Sequence, residues 1–216
     1  MPTVNEYIES RLRFAVDRTK YLPRAEKQFK IGSNCSIDWD GVFIGNNVVI
    51  EDNVVIRGRV AVGNGCLIKS GAVIGSKGFS FGFMEDLTPV AIGHTGGVII
   101  GNNVEIGALT TVCQGTIEDT VVGDYVKIDD HVHIAHNCNI GARSCIAAGT
   151  KFGGGVVVGE KVWIGLSATI MNKVRIGDYA LVGVGANVIR DVSPGDVVIG
   201  NPAKVLKNRN SYEQNL

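Results

Sequence analysis

The sequence predicts an all-β solenoid built from six-residue repeats, and three observations predict it. Aliphatic residues recur at every sixth position, 29 of the 216 residues are glycine, and glycine repeatedly follows the aliphatic with Asn or Asp next. Helices repeat at 3.6 residues and ordinary strands at 2, so an unbroken period of six fits neither alone. It fits a triangular coil of three six-residue flats, stacked on further coils with aliphatic side chains along the axis.

The chain reads in order as follows. NEYIESRLRFAVDRTKY, within residues 3 to about 20, lacks the period and is rich in helix formers, with Thr3 or Asn5 as a cap. Residues 1–29 are therefore expected to be an N-terminal helical segment. The solenoid is expected over 30–200. One ladder runs Ile44, Ile50, Ile56, Val62, Ile68, Ile74, and a short one Ile100, Ile106, Val112. A third holds twelve members without a gap, from Val122 through Ile128, Ile134, Ile140, Ile146 and Phe152 to Val188. Four positions after each aliphatic stands a small or compact residue, such as Val48, Cys66, Ala72, Val132, Cys138, Ser144, Thr150 or Ala168. Those are the second inward positions of a narrow prism. The Gly-Asn and Gly-Asp pairs suit the turns between flats.

Two departures break the period. Ile74 and Ile100 are 26 apart, which makes residues near 76–97 an inserted loop, and Val112 and Val122 are ten apart. Insertions in solenoids gather on one face, often the binding face. The chain leaves the repeat through a Pro-Gly turn, and 201–216 form a short C-terminal tail.

Composition narrows the classes. Twenty-one basic and 21 acidic residues give zero formal charge, so no global field favours nucleic acid or an anionic membrane. No apolar run is long enough to span a bilayer, and the N-terminus lacks the layout of a secretory signal, so a cytoplasmic location is expected. Five cysteines without a Cys-x-x-Cys pair argue against a disulfide framework or a thiolate zinc site.

Three of the four histidines lie in HVHIAH, at 131, 133 and 136. With Ile128, Val132 and Ile134 pointing inward, all three imidazoles point outward, and His131 and His133 also fit a merely solvated face. Cys138 takes an inward position and should be an inert core residue.

The Leu/Ile/Val-Gly pattern resembles that of the hexapeptide-repeat acyltransferases, and this resemblance alone implies left-handed winding. The fold class expected is thus a left-handed parallel β-helix with a short N-terminal helix and a short C-terminal tail. Over residues 75 to 150 the likeness is more specific. The GFSFGF loop, the VIIGNNVEIGALTTV run and the IAHN tetrapeptide resemble, in order and spacing, the UDP-3-O-acylglucosamine N-acyltransferases of lipid A synthesis.

That resemblance implies His136 as the general base and Asp129 as the group that orients it. Backbone N–H groups around Gly153, Gly154 and Gly155 are candidates for stabilising an oxyanion, with Gly154 one coil above His136. Phe79, Phe81 and His133 are candidates for contact with the substrate, and the loop for covering a cleft. A homotrimer with sites between neighbouring solenoids is also implied. Three departures stand out. Only about 30 residues precede the solenoid; Asn172-Lys173 replaces a Gly-His pair; and the end, GNPAKVLK, resembles acetyl-CoA-dependent hexapeptide acetyltransferases.

The donor expected is therefore acetyl-CoA or another acyl-CoA, as co-substrate and not as a bound cofactor. Gly153, Gly154, Lys173, Asn201, Pro202, Lys204 and Lys207 are the candidates for holding it. The acceptor expected is a nucleotide-linked aminosugar, and no metal site is assigned. The alternatives are a zinc hydratase resembling the gamma-class carbonic anhydrases, using His131, His136 and His94, a sugar O-acetyltransferase on the same base, and a non-catalytic solenoid.

Overall fold

A computed structural model describes residues 29–208, so the helix expected over residues 3 to about 20 lies outside the described residues. Those residues form three parallel sheets wrapped around one axis, with ten strands on the first face, eight on the second and seven on the third. The order is consistent with the left-handed β-helix that the resemblance implies. Among the described residues there is no helix, and no helix long and apolar enough to cross a membrane.

Each flat is a strand of two to four residues, and each coil pairs with the next in strict register. On the first face Ile128 stacks on Ile146, then Ile164, then Val182. On the second, Ile134 stacks on Phe152, Ile170 and Val188. On the third, Ile140 stacks on Val158 and Ile176. All eleven are buried and belong to one core cluster. The inward positions that carry a hydroxyl are satisfied by the backbone. Ser144 Oγ donates to Gly159 O at 2.9 Å and accepts from Val162 N at 3.0 Å. Thr150 Oγ1 donates to Ala147 O at 2.9 Å. Each unmade bond of this kind would cost about 1–3 kcal/mol.

The Gly-Asx pairs have a mechanical reason. The Asx side chain caps the backbone of the coil beneath it: Asn64 Oδ1 accepts from Asn46 N at 2.8 Å, Asn102 Oδ1 from Asn64 N at 2.9 Å, and Asp124 Oδ1 from Asn102 N at 2.7 Å. A Cβ on Gly45 would stand 2.7 Å from Asn64 Oδ1, so the preceding residue has to be glycine for the cap to approach. The corners also carry left-handed residues, among them Tyr125 (φ 61°), His131 (57°), Asn137 (61°) and Lys173 (63°). Such a conformation costs a non-glycine residue roughly 1–2 kcal/mol, offset here by N–H bonds to the coil below, such as Lys173 N to Gly154 O at 2.9 Å.

The register shows where the period breaks. Val60 pairs with Val98, and Val98 with Thr120. Both breaks lie between a strand of the second face and a strand of the third: Val73–Ser76 to Val98–Ile100, and Thr111–Cys113 to Thr120–Val122. One corner of the prism therefore carries both insertions. The first contains an antiparallel hairpin, Phe81–Phe83 with Pro89–Ala91. At the far end, Asp196–Ile199 continues the first face and Lys204–Asn208 returns antiparallel to it after a cis Asn201–Pro202 bond.

Phe152 is the largest fully buried side chain, in a column otherwise aliphatic. Phe152→Ala should lower unfolding free energy by about 3–5 kcal/mol in urea titrations, because stacked coils cannot collapse into the gap.

Candidate functional site

His136 stands at the corner between the second-face strand His133–Ile134 and the third-face strand Asn139–Ile140. This is the corner that carries both insertions, and the half-buried ring of His136 is enclosed by them and by the coil above. Its pocket is made by missing side chains. A Cβ on Gly78 would stand 2.9 Å from Cδ2 of the ring, and one on Gly154 would stand 2.6 Å from Nε2. Neither glycine has a left-handed φ, so the demand there is for space alone.

The tautomer of His136 follows from its neighbours. Its Nδ1 lies 2.9 Å from Asn137 Oδ1. That oxygen also accepts from Thr116 Oγ1 at 2.8 Å and Thr116 N at 3.2 Å, while Asn137 Nδ2 donates to Glu118 O at 3.0 Å. A backbone N–H and a backbone carbonyl thus orient the Asn137 amide, and only an acceptor faces His136. Nδ1 therefore carries the proton, and Nε2 keeps its lone pair beneath Gly154. The small insertion is what positions Asn137: it brings Thr116 and Glu118 to it, and Thr120 Oγ1 accepts from Asn137 N at 2.9 Å.

Asp129 does not meet His136 within the chain, in contrast to the sequence expectation. It lies at the corner between the first and second faces, where Oδ1 accepts from Asp130 N at 2.8 Å and Oδ2 from Ala148 N at 3.2 Å. The six residues between it and His136 traverse a full flat, which carries them to different corners. Asn137, adjacent in sequence, takes the contact instead.

Of the three backbone donors expected near Gly153, two are engaged. Gly153 N donates to Ile170 O and Gly155 N to His136 O, each at 2.9 Å. Among the described residues Gly154 N is left without a backbone acceptor. Lys173 lies one coil above Gly155 on the same corner. Asn201, Pro202, Lys204 and Lys207 lie at the end of the solenoid, at least four coils above His136, or roughly 19 Å and more at the usual strand spacing. Asn201 Oδ1 accepts from Asn187 Nδ2 at 3.0 Å, and Lys204 and Lys207 are exposed.

His133 points outward on the second face, with Nδ1 2.6 Å from Thr111 Oγ1. Partial burial first, and the charge of Lys151 second, hold it below the ordinary imidazole value. Phe79 is 88 % exposed and meets Phe81 edge to face at 4.7 Å, next in chain to the Gly78 that touches His136. His131 is exposed at the first corner, so His131, His136 and His94 do not converge within one chain.

His94, returning on the large insertion, stands edge-on to His136 with ring centroids 5.8 Å apart and planes at 81°. Its Nδ1 lies 3.0 Å from Ile92 O, which can only accept, so Nδ1 is protonated. Its Nε2 is shielded from solvent and has no hydrogen-bond partner among the described residues. Sequence reading missed Asn137, Gly78 and this role of His94. Counting the breaks against the three faces would have assigned both insertions to the His136 corner; nothing periodic could have returned His94 to it.

Cys138 is buried beneath this corner, and burial pushes its thiol up to about 12; burial also raises Cys113 and Cys66. None is poised as a nucleophile.

The chain resembles known hexapeptide-repeat proteins. The profile of the bacterial transferase hexapeptide family (six repeats) matches residues 41–76 and 119–154. The UDP-3-O-acylglucosamine N-acyltransferase of Janthinobacterium sp. (strain Marseille) is 38% identical over 130 residues, 60% of this chain and 37% of that protein. Its counterpart in Herminiimonas arsenicoxydans is 37% identical over 160 residues, 71% of this chain and 45% of that one. The chain thus spans less than half the length of these curated relatives. A crystal structure of a UDP-N-acetylglucosamine acyltransferase superposes with a TM-score of 0.70 at 26% identity, covering 83% of this chain and 70% of that one.

Two outcomes test this geometry. Gly154→Ala should reduce turnover by about two orders of magnitude while leaving the thermal midpoint within a few degrees, since the added methyl displaces only the His136 ring. In the folded protein at pH 8, Cys138 should resist iodoacetamide in mass-spectrometric mapping, because a thiol near 12 is ionised to roughly one part in ten thousand.

Proposed function

We propose that this chain is an N-acyltransferase that moves an acyl group, acetyl in the first instance, from coenzyme A to the amine of a nucleotide-linked aminosugar, with His136 as general base. The observation that carries the reading is the orientation of His136: Nδ1–H is held by Asn137, and Nε2 is bare beneath a residue without a side chain.

The chemistry follows from that atom. As the sugar amine attacks the thioester carbonyl, a C–N bond forms and the carbonyl electrons move onto oxygen. His136 Nε2 takes the amine proton. The Gly154 N–H is the donor suited to the oxyanion. On collapse the C–S bond breaks, and the proton held on His136 passes to the departing thiolate. No covalent enzyme intermediate is needed, in keeping with the raised thiols of Cys113 and Cys138.

The names of the relatives support the acceptor class, since both act on a UDP-linked glucosamine. The donor rests on the GNPAKVLK end, with Lys204 and Lys207 offered to phosphates of coenzyme A and Lys173 lying nearer the reaction centre, one coil above Gly155. A cytoplasmic homotrimer is part of the same reading. The hairpin after Phe79, with Phe83 71 % exposed, would then cover the cleft between neighbouring prisms, and Phe79 and Phe81 would rim the sugar or base.

The test is thiol release from acetyl-CoA with a panel of UDP- and dTDP-linked aminosugars. Turnover with one of them should fall by a factor of about 100 or more in His136→Asn and be indifferent to chelator. Full activity in that variant would sink the base assignment; turnover only with an acyl carrier protein would correct the donor; chelator-sensitive hydration of carbon dioxide would replace the reading with the zinc hydratase.

A further inference from the structure

We infer that His94 is a positioning residue for His136, whose unpartnered Nε2 lone pair stabilises the positive charge His136 acquires when it takes a proton. The inference rests on the reading of His136 as general base and deepens it.

Two features of the pair point to this. First, the partner that orients His136 is a neutral amide. Asn137 Oδ1 fixes the ring, but it brings no formal charge to balance an imidazolium. Second, His94 is held with its polarity set. Ile92 O accepts from Nδ1–H, Gln114 Nε2 donates to His94 O at 3.4 Å, and among the described residues Nε2 is left as a shielded acceptor without a donor. An unmatched acceptor enclosed beside a neutral ring is unfavourable; beside a cationic ring it becomes favourable, because the local dielectric is low. The edge-on arrangement at 5.8 Å is within range of such a charge–dipole interaction. The arrangement therefore favours the protonated over the resting state of His136, as a base needs at the moment of proton transfer.

Other charged groups lie on the segments packed around the pair. Lys77 precedes Gly78 on the large insertion, and Arg59 Nη1 donates to Thr95 O at 3.0 Å. Glu118 and Asp119 lie on the small insertion, where Asp119 Oδ1 accepts from Gly97 N at 2.6 Å. Lys173 lies on the coil above Gly154, and Lys151 on the neighbouring second-face strand. His94 is the titratable ring in direct contact with His136.

The experiment is His94→Phe, which retains an aromatic edge and removes the lone pair. kcat should fall about tenfold with KM within twofold, and the acid limb of the kcat–pH profile should move to lower pH by about one unit, a tenfold change in proton affinity. The ring signals of His136 in the free protein, followed by NMR, should change at correspondingly lower pH. A pH response of His136 superposable on that of the wild type would overturn the inference. The NMR arm needs no substrate, so it separates failure of this inference from failure of the acyl-transfer reading. A measurement on the unmodified protein guards against a variant that does not fold: the 15N spectrum at pH 7.5 should show His94 protonated at Nδ1 and bare at Nε2. A proton on His94 Nε2 at that pH would equally overturn the inference.

Discussion

The register between coils, in which residues of the regular stretch lie over those eighteen positions earlier, is the constraint on which the rest of the molecule depends. It is imposed by backbone hydrogen bonds such as Asn139 N to Val156 O, Asp129 N to Ile146 O and His133 N to Thr150 O, each at 2.9 Å. Once it holds, side-chain columns follow without further choice. The inward columns become a continuous aliphatic core, and the Asx columns become a ladder of caps on the coils beneath. The short strands would be marginal alone, most with only two or three residues. Their stability comes from neighbours above and below, as in other quasi-one-dimensional proteins.

The same register makes the site. Because His136 and Gly154 share a column, the absence of a side chain at Gly154 opens space directly over the imidazole. Because Gly155 and Lys173 take the same left-handed turn position, the corner repeats its geometry coil after coil while its side chains change. An insertion is tolerated only where it leaves and rejoins the prism without shifting the register, and both insertions do so at one corner. The regular part supplies a rigid edge with an outward imidazole, and the irregular part supplies the residues that orient and enclose it. Thr116 and Glu118 hold Asn137 from the small insertion; Gly78 and His94 approach from the large one.

Polar groups within the core show how tightly the backbone is accounted for. Ser144 and Thr150 occupy positions otherwise filled by Val or Ala, and both hydroxyls bond to carbonyls of the coil ladder. Cys138 does the same, its Sγ lying 3.3 Å from Gly153 O. Against that background an enclosed nitrogen without a partner among the described residues, His94 Nε2, is an exception located beside the His136 ring. Unsatisfied groups of this kind are rare in folded proteins, and functional sites are where they are found.

The sequence by itself determined the architecture of the prism: the spacing of six names the inward columns, the turns and the two places where the period fails. Ile128, Ile134 and Ile140 are legible as core because burial on a repeating coil is a periodic property, and His136 is legible as outward for the same reason. The surroundings of His136 were decided only by the tertiary structure. Asp129, chosen along the chain, lies at another corner because one flat separates it from the ring. Asn137 takes its place because a four-residue insertion, folded back, holds its amide in one orientation. Gly78 and His94 reach the ring through an excursion that adds twenty residues and follows no period. Periodic order can be read locally, since every coil repeats the same contacts; the path of an insertion is set by packing against coils that are distant in sequence.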